Sequence, residues 1–548
     1  MQHNKELIQH LRLRLAGWLN KRRVTAMTRH VAQRAQPDPD QKPVIFFNAS
    51  TRLMGLSLNA AFQLIASWGL RLAGIPVIQF TCQAGMNPCV LGLDRQDFHN
   101  PPPCQPCIAQ TQHLYDGASL HPFRFQPDED LAAALEGLSV AELCEFEYPF
   151  GKKSKIPLGQ MVVSSVRWTL RMHHLADDEP MRYLLRQYIQ SAYNVACQFD
   201  ALIRQSNPSA AVIFNGMLFP EAAARWVARK RHLRAITHEV GFQRFSAFFT
   251  EGEATAYPIH IPDSFELTPE QNARLDRYLE KRFQGQFTMA GIRFWPEMRG
   301  LDPAFLEKAA RFRQVVPVFT NVVFDTSQVH ANTTFPHMFA WLELVADVIR
   351  AHPETLFVIR AHPDEKRPNS AKQSRESVSD WLHRHAIDVL PNVVFIDSQE
   401  YISSYELIQR AKFVLVYNSS IGLEATLMGT PVLCGGKARY TQYPIVFFPD
   451  SPKALHTQME DFLKAELIQV PEEFQRNARR FLYYQLYRAS LPFDAYIQAG
   501  PRQGFVQLRP FSWRQLLPER SPTMQILVDG ILGREKSKKE RFLLRDIS

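Results

Sequence analysis

The first candidate site residues follow an apolar run at 356–359, where Arg360, His362 and Pro363 lie within four positions. An imidazole held by a following proline is suited to bind a phosphate or to protonate a leaving oxygen. Arg360 would add a positive charge beside that phosphate. A His-Pro pair alone is weak support, because a histidine at a strand end often has only a structural role.

The second candidate segment is Tyr417-Asn418-Ser419-Ser420-Ile421-Gly422-Leu423-Glu424, between an apolar run and a helical pattern. Two hydroxyls beside the first N–H groups of a helix form an anion site that needs no metal. Glu424, one turn into that helix, would accept the two hydroxyls of a ribose. The simpler interpretation is that Ser419 or Ser420 is an ordinary helix N-cap.

The third candidate segment lies in the first half of the chain, where His238-Glu239-Val240-Gly241 follows the apolar run 234–237. The carboxylate of Glu239 could act as a general base that deprotonates an acceptor hydroxyl. Asn215 and Gly216 follow the preceding run, 211–214, and offer a polar side chain and a close backbone approach. The alternative is that each is an ordinary turn residue.

Four of the seven cysteines cluster in a Pro-rich stretch. They are Cys82, Cys89, Cys104 and Cys107, and only the last two have the tight C-x2-C spacing of a structural zinc site. Free buried thiols without a metal are the other interpretation. Seven cysteines without an export signal indicate a reducing compartment.

The elements that position these residues alternate between strand and helix along most of the chain. Predicted strands are 44–48, 74–80, 211–214 and 234–237, then 315–320, 356–359, 392–396, 413–416 and 431–433. Predicted helices include 57–73, 180–206, 220–231, 336–351, 374–386, 403–411, 421–428, 472–490 and 510–532. This pattern predicts an α/β protein with two doubly wound, Rossmann-type domains facing a cleft and closed by C-terminal helices, a GT-B-like layout. Ligands of such sheets bind at the carboxyl ends of the strands.

Four segments follow from this reading. They are a basic amphipathic leader (1–41), an acceptor domain (42–300), a nucleotide-sugar domain (301–470) and C-terminal helices with a basic tail (471–548). Within the acceptor domain, the Pro- and Cys-rich stretch 101–160 is predicted to be an irregular insertion. The chain contains no GxGxxG and no GxxxxGK[ST], so the dehydrogenase and P-loop interpretations lack their motifs.

The net charge of +9 is concentrated at the two ends of the chain. Residues 1–36 carry +7 and residues 534–541 carry +3, which leaves the long stretch between them close to neutral. A nucleic-acid-binding domain needs a basic face, so nucleic acid becomes the least favoured partner. An anionic membrane surface or an anionic glycan fits this charge distribution better.

The apolar pattern of the leader predicts neither a signal peptide nor a membrane-spanning helix. Leu7, Ile8, Leu11, Leu15, Trp18 and Leu19 recur at helical spacing, with basic residues on other faces. Such a helix either lies on an anionic leaflet or docks its apolar stripe on its own domain. The expected location is cytoplasmic, with peripheral attachment to the inner face of the cell membrane as the further prediction.

In its joint order of motifs, the chain resembles the capsule polysaccharide synthesis family, which includes bacterial β-Kdo transferases. The resemblance is carried by Phe214-Asn215-Gly216, His238 to Phe242, Thr320 to Asp325, Trp341-Leu342, Arg360 to Glu365, Ser403-Ser404-Tyr405 and Tyr417 to Glu424. It is densest over about 310–445. The resemblance implies a metal-independent GT-B transferase that uses a nucleotide-activated sugar, with no cofactor required for catalysis.

Bacterial sialyltransferases of GT-B type are similar at three of these places. Their His-Pro motif, which binds the CMP phosphate, matches His362-Pro363, and their Ser-Ser/Thr motif matches Ser419-Ser420. Their acidic-acidic-Gly motif, which supplies the base, finds its nearest match in Glu239-Val240-Gly241. The middle position here is Val240 rather than an acid, and the cysteine cluster has no counterpart there.

These observations predict an inverting glycosyltransferase that transfers a sugar from a nucleotide-activated donor to a growing surface polysaccharide or a lipid-linked glycan. A CMP-linked sugar is one candidate donor. Glu239 would be the base and Asn215 would orient the acceptor. Three alternatives remain open: a teichoic-acid-type polyol-phosphate transferase, a UDP-sugar 2-epimerase, and a non-catalytic protein of capsule assembly. Capsule-assembly proteins are further expected partners.

Overall fold

The computed structural model describes residues 2–49, 55–285, 298–366, 373–501, 504–534, 537 and 539–545, with side chains from residue 13 onward. Lys5, Arg12, Lys536 and Lys538 of the two basic ends lie outside the described side chains. So do Leu7, Ile8 and Leu11 of the predicted apolar stripe.

The described chain alternates strands and helices as predicted. Its strands are β1 (Val44–Asn48), β2 (Leu56–Ser57), β3 (Val77–Cys82), β4 (Ser119–Phe123), β5 (Tyr148–Pro149), β6 (Lys155–Ile156), β7 (Ala210–Phe214), β8 (Arg234–Val240), β9 (Ser246–Thr250), β10 (Gln314–Phe319), β11 (Thr355–Arg360), β12 (Val393–Ile396), β13 (Val414–Val416), β14 (Val432–Cys434), β15 (Leu491–Pro492), β16 (Ile497–Ala499) and β17 (Phe505–Leu508). Its helices are α1 (Gln2–Arg34), α2 (Leu58–Leu72), α3 (Cys104–Leu114), α4 (Glu129–Ala134), α5 (Val140–Cys144), α6 (Leu158–Leu170), α7 (Glu179–Ser206), α8 (Phe219–Lys230), α9 (Pro269–Phe283), α10 (Pro303–Ala309), α11 (Gln328–Ala331), α12 (Met338–Ala351), α13 (Val378–Arg384), α14 (Ser404–Gln409), α15 (Ile421–Leu427), α16 (Pro452–Lys464), α17 (Glu472–Tyr483) and α18 (Pro522–Leu532).

The first sheet has the order β15-β9-β8-β7-β1-β3-β4, and its strands from β8 to β4 are parallel. β1 is buried along its whole length, because helices cover both faces of the sheet. Val44 and Phe46 enter one apolar core while Ile45 and Phe47 enter the other. The chain runs outward from β1 in one direction and then returns to β7, so a crevice opens between the carboxyl ends of these two strands.

The second sheet has the order β12-β11-β10-β13-β14, with every pairing parallel. Its crevice lies between β10 and β13, where the strand order reverses. Two doubly wound sheets confirm the predicted α/β, GT-B-like fold of two Rossmann-type domains. The predicted boundaries of the four chain segments stay predictions.

Two sequence-based expectations were wrong. The stretch 101–160 is not an irregular insertion, because it contains α3, α4, α5 and the edge strand β4, which pairs with β3. Pro122 within β4 disguised this strand, and an edge strand tolerates proline. The strand predicted at 234–237 continues to Val240, so His238 and Glu239 lie inside β8 rather than after it.

The C-terminal segment returns to the first sheet. β15 pairs antiparallel with β9, and β17 pairs with β2. Leu527, Val528 and Ile531 of α18 enter the same core as Trp68 of α2. The closing helices therefore stabilise the domain in which the chain began.

The two halves of the first helix lie in different environments. Val24, Met27 and Val31 in its second half are buried in the first core. Leu15 and Trp18 in its first half are more than half exposed, at 58% and 51%. Among the described residues, no helix is long and apolar enough to cross a membrane.

Candidate functional site

A cavity at the carboxyl edge of the second sheet collects the predicted anion-binding residues; we call it the second-sheet cavity. Phe319 and Thr320 at the end of β10 form part of its wall. The predicted site residues that line it are Arg360, His362, Pro363, Ser419, Ser420 and Glu424. These residues come from the last position of β11, the segment that follows it and the segment that follows β13; β11 and β13 are the two strands that flank β10. The strand order therefore explains why residues sixty positions apart share one cavity.

The imidazole of His362 is oriented by its own loop. The backbone N–H of Asp364 donates a hydrogen bond to Nδ1 at 3.1 Å. A neutral imidazole that accepts at Nδ1 carries its proton at Nε2. His362 is therefore arranged to donate a hydrogen bond through Nε2. Protonation of Nδ1 would place two N–H groups opposite each other, because the Asp364 N–H already points at Nδ1.

Arg360 is the last residue of β11 and is only 3% exposed. Its guanidinium donates to the carbonyl oxygen of Glu400 at 3.3 Å. Burial lowers its pKa to about 10, against the opposing effect of the Glu400 carboxylate. The guanidinium therefore remains protonated at neutral pH and places a positive charge beside His362.

Ser420 occupies the N-cap position of α15, but its side chain makes no capping hydrogen bond. Among the described residues, no backbone N–H of α15 is capped by the Ser420 hydroxyl. The interpretation of Ser420 as an ordinary side-chain N-cap is therefore wrong. The Tyr440 hydroxyl fixes the backbone of Ser419 by donating a hydrogen bond to its carbonyl oxygen at 2.8 Å. Gly422 allows this contact, since a Cβ there would lie 2.2 Å from the Tyr440 hydroxyl oxygen.

Glu424 forms the buried floor of the second-sheet cavity. Its Oε1 accepts a hydrogen bond from the Arg282 guanidinium at 2.6 Å, and its Oε2 accepts one from the Tyr405 hydroxyl at 2.6 Å. Each carboxylate oxygen can accept a further hydrogen bond. Burial, together with the Glu424 charge, raises the pKa of Tyr405 well above its ordinary value, so the phenol stays a donor.

A second cavity opens at the carboxyl edge of the first sheet, between β1 and β7; we call it the first-sheet cavity. Its polar lining includes Asn48, Asn59, Asn215 and Tyr115, and Thr326 reaches it from the second domain. The Tyr115 hydroxyl donates to Oδ1 of Asn48 at 2.8 Å. This cavity therefore combines polar and apolar walls and is completed by both domains.

Glu239 lies next to this cavity, is partly exposed, and is held by three donors, two of which come from the cavity residues Asn59 and Asn215. Its Oε1 accepts from the backbone N–H of Val240 at 2.9 Å and from Nδ2 of Asn59 at 3.4 Å. Its Oε2 accepts from Nδ2 of Asn215 at 3.2 Å. Burial raises the pKa of Glu239 above its ordinary value, these hydrogen bonds oppose the rise, and the nearby charge of Asp325 adds to it.

Asn215 joins the two predicted acceptor-side segments. Its Oδ1 accepts from the backbone N–H of Met217 at 3.0 Å while its amide donates to Glu239. Its backbone has φ +23°, and Gly216 follows with φ +79°. Asparagine and glycine tolerate this region, which explains both residue types at the end of β7. Asn215 is thus placed to position the Glu239 carboxylate.

Side chains near Gly241 link the two domains beside these cavities. The guanidinium of Arg439 stacks on the rings of Tyr257 and Phe242, at 4.2 and 4.9 Å from their centroids. The Tyr257 hydroxyl donates to the carbonyl oxygen of Val240 at 2.7 Å. The backbone that carries Glu239 is therefore connected to the segment that follows β14.

Two clusters of side chains bear on metal binding. The four predicted cysteines line one small, mostly apolar cavity beside the first sheet. Separately, His173, His174 and His337 bring ligand atoms within 4.8 Å of one another where the two domains meet. However, Nδ1 of His337 accepts the Ala340 N–H at 3.1 Å, which leaves the proton of a neutral ring at Nε2. The histidine set therefore fits a hydrogen-bonded domain contact better than a metal centre.

The sequence reading missed several residues of the two cavities. Arg282 lies on α9, whose many charges are typical of a solvated helix, and gave no signal of burial. Asn59 follows a helix N-cap and looked like ordinary capping chemistry. Tyr405 belongs to the Ser403-Ser404-Tyr405 motif, but the sequence does not indicate that its hydroxyl donates to Glu424. Arg282 and Asn59 become functional candidates only through long-range contacts. Arg282 contacts Glu424 across 142 positions of sequence, and Asn59 contacts Glu239 across 180.

A comparison with protein families finds one match within the second domain. Residues 297–445 match the family of capsule polysaccharide biosynthesis proteins. The predicted resemblance is therefore confirmed over this segment, which contains all six predicted residues of the second-sheet cavity. No curated protein matches the chain.

The solved structures that resemble the chain do so at low identity. They include two β-Kdo transferases, 2,4 and 2,7, of KpsC from Thermosulfurimonas dismutans. The first is 13% identical over 55% of this chain and 84% of that chain, with a TM-score of 0.34. The second is 14% identical over 57% and 85%, with a TM-score of 0.31. A UDP-N-acetylglucosamine 2-epimerase from Listeria monocytogenes is 12% identical over 81% and 95%, with a TM-score of 0.26. None of these likenesses carries an argument about the substrate of this chain.

Proposed function

We propose that the protein is an inverting glycosyltransferase that adds a sugar from a nucleotide-activated donor to a capsule or other surface polysaccharide. The observation that carries this proposal is the convergence of Arg360, His362, Ser419, Ser420 and Glu424 on one cavity at the crevice of the second sheet. The match of that segment to the capsule biosynthesis family supports the same activity.

The second-sheet cavity is the proposed donor site. Bond cleavage at the sugar carbon increases the negative charge on the departing nucleotide phosphate. Nε2–H of His362 and the two serine hydroxyls would donate to that phosphate, and Arg360 would supply a fixed positive charge. Groups already oriented toward a developing charge lower the barrier without reorganising, which is the main electrostatic contribution in enzymes. In this role His362 acts as a neutral donor, which its Nδ1 contact favours over general-acid catalysis.

Glu424 is proposed to bind the ribose of the donor. Its two oxygens are fixed by Arg282 and Tyr405, and each has room for one additional hydrogen bond from a ribose hydroxyl. In this proposal the negative charge of the phosphate is stabilised by the positive charge of Arg360 and by hydrogen bonds from the neighbouring donors of the protein. A metal-independent mechanism, as the family resemblance implies, is therefore part of the proposal.

The first-sheet cavity is the proposed acceptor site, with Glu239 as general base. A carboxylate whose pKa is raised by burial is a stronger base than an exposed one and takes a proton from an attacking hydroxyl more readily. Asn215 and Asn59 fix its orientation. Direct attack on the anomeric carbon from the face opposite the nucleotide would invert its configuration.

Attachment to the inner face of the cell membrane is a further part of the proposal. Leu15, Trp18 and Leu19 are exposed on the first half of α1, with Arg14 and Lys21 nearby in sequence. Apolar side chains beside basic ones are typical of helices that lie in an anionic interface. A growing lipid-linked glycan would be held at the same surface, close to any capsule-assembly proteins.

The test is a panel of nucleotides and nucleotide sugars measured by thermal shift and titration calorimetry. We expect one nucleotide class, with CMP and CDP compared against UDP, to stabilise the protein, and we expect His362→Ala and Ser420→Ala to abolish that stabilisation. His383→Ala is the matched control, because the side chain of His383 is 83% exposed on α13. An active His362→Ala variant would contradict the assignment of the donor site.

Product analysis separates the alternatives. A polyol-phosphate transferase would release CMP from a CDP-polyol, and an epimerase would convert a UDP-sugar without any acceptor. A protein of capsule assembly without catalytic activity would respond to no nucleotide. Formation of a new glycosidic bond only when donor and acceptor are both present is the outcome that supports the proposal.

A further inference from the structure

The cysteine cavity is a separate feature of the first domain. Cys82 ends β3, Cys89 lies in the following loop, and Cys104 and Cys107 occupy the first turn of α3. The wall around them is almost entirely apolar and includes Met86, Val90, Pro102, Pro103 and Ile108. All four residues are free cysteines, each only partly exposed. Four thiols from three elements therefore converge on one small cavity.

The backbone around two of these cysteines is arranged to donate hydrogen bonds to sulfur. The N–H of Gly85 lies 3.3 Å from Sγ of Cys82, and the N–H of Gly92 lies 3.1 Å from Sγ of Cys89. Both donors are glycines in crowded positions. A Cβ on Gly85 would lie 2.2 Å from the ring of Phe123, and one on Gly92 would lie 2.9 Å from the Cys89 sulfur. Backbone donors to sulfur stabilise thiolates, which are the form that binds metals.

The separation of the sulfurs distinguishes the kind of centre. One zinc ion with Zn–S bonds of about 2.3 Å requires four sulfurs within about 4 Å of one another. Among the described residues, the set of three or more ligand atoms within 4.8 Å of one another consists of histidines, and no three of these cysteine sulfurs meet that limit. Iron–sulfur clusters share four thiolates among two or four iron atoms, so no three of their sulfur ligands need to lie this close together.

We propose that Cys82, Cys89, Cys104 and Cys107 bind an iron–sulfur cluster. The sequence-based expectation of a structural zinc ion becomes the competing outcome. The proposal depends on the four converging sulfurs, their separation and the apolar wall, and it stands independently of the transferase activity.

The position of the cluster gives it a structural role beside the acceptor site. Leu91 lines both the cysteine cavity and the first-sheet cavity. Tyr115, directly after the end of α3, donates to Asn48 inside the first-sheet cavity. Binding of the cluster would fix the loop 83–103 and the start of α3, and with them one wall of that cavity. This role, unlike the cluster itself, depends on the proposed function.

The experiment is metal analysis of the full-length protein purified without oxygen. We expect iron and acid-labile sulfide in equal amounts, about two or about four of each per chain, with visible absorbance that bleaches on reduction with dithionite. One zinc per chain without iron would overturn the proposal in favour of the mononuclear site. Absence of both metals after anaerobic reconstitution with iron and sulfide would overturn any metal centre here.

Variants locate the centre. Cys104→Ser and Cys107→Ser should each lower the iron content at least severalfold, whereas Cys197→Ser, at an exposed cysteine of α7, should leave it unchanged. Unchanged iron in both cluster variants would overturn the ligand assignment. If these variants do not fold, the metal content of the unaltered protein still decides. Failure of the transferase proposal would leave the iron content unaffected, so the two failures are distinguishable.

Discussion

Nδ2 of Asn215 donates a 3.2 Å hydrogen bond to Oε2 of Glu239, joining the end of β7 to the neighbouring strand β8. The bond stabilises the charged form of a carboxylate whose pKa burial raises. It therefore opposes the effect of burial and favours the ionised carboxylate, the form in which a general base accepts a proton.

Removing this hydrogen bond should move the pH profile of transfer. In Asn215→Ala the charged form of Glu239 loses a donor, so its pKa rises and activity is lost at a higher pH as the solution is acidified. A hydrogen bond to a charged group predicts a shift of the acidic limb by about one pH unit. The pH dependence of kcat/KM measures it. Asn59→Ala, which removes the longer 3.4 Å contact, should shift the limb less. Equal profiles for Asn215→Ala and the unaltered enzyme would contradict the assignment of Glu239 as base.

The buried ion pair beneath the donor site should dominate local stability. Glu424→Gln leaves the Arg282 guanidinium buried without its counter-charge, and breaking such a pair costs about 3–5 kcal/mol of unfolding free energy. Tyr405→Phe removes a hydrogen bond to the same carboxylate and should cost about 1.5–3 kcal/mol. Urea unfolding measures both. The control is Glu307→Gln, whose ion pair with Arg311 is exposed and should contribute little. A Glu424→Gln variant as stable as the control would show that this pair does not support the cavity.

The close approach of Gly422 to Tyr440 should control nucleotide affinity. A Cβ in Gly422→Ala would lie 2.2 Å from the Tyr440 hydroxyl oxygen, so the ring must move and the hydrogen bond to the Ser419 backbone is lost. Misplacing the two serines should weaken nucleotide binding by about tenfold or more. Adding Tyr440→Phe removes the clashing oxygen and should restore part of the affinity. Gly17→Ala, at an open position of α1, should change nothing in calorimetric titration. Full affinity in Gly422→Ala would argue against a site formed by Ser419 and Ser420.

His238 should make the protein less stable in acid. It is fully buried between the rings of Phe214 and Phe249, and burial lowers its pKa to about 3. Between the ordinary histidine pKa and pH 3 the unfolded chain binds a proton that the folded chain excludes. Stability therefore falls with decreasing pH, by about 1.4 kcal/mol per pH unit for one group. Denaturant unfolding at pH 4 to 7 should show a smaller pH slope for His238→Phe than for the exposed control His260→Gln. Identical slopes would contradict the prediction.

The exposed half of α1 should determine membrane binding. Replacing Leu15, Trp18 and Leu19 with serine removes the apolar contacts but leaves the buried residues Val24 and Val31 in place. The triple variant should lose co-sedimentation with anionic vesicles while soluble-acceptor activity persists. Leu467→Ser, at another exposed leucine, is the control and should bind as the unaltered protein does. Deletion of residues 1–36 is a poorer test, because it also removes part of the core. Unchanged vesicle binding by the triple variant would contradict the prediction, and absence of vesicle binding by the unaltered protein would favour a helix that only docks on its own domain.

Local pattern predicted much of the fold. Buried parallel strands such as β1 and β11 appear as continuous apolar runs, and the residues after them were identified as site residues for that reason. The strand β4 was missed because its proline and exposed residues resemble a loop. Arg282 could not be predicted, since its burial depends on a carboxylate 142 positions away. The separation of the four cysteine sulfurs depends on how β3 and α3 pack, which spacing along the sequence does not determine.

The central claim is that nucleotide binding in the second-sheet cavity and proton removal by Glu239 are separate parts of one glycosyl transfer. It is tested most directly by Glu239→Gln, assayed for nucleotide affinity by calorimetry and for glycoside formation by mass spectrometry. The account predicts that this variant binds the nucleotide as tightly as the unaltered protein, while transfer to the acceptor falls by about a hundredfold or more. Transfer at the unaltered rate by Glu239→Gln would contradict it.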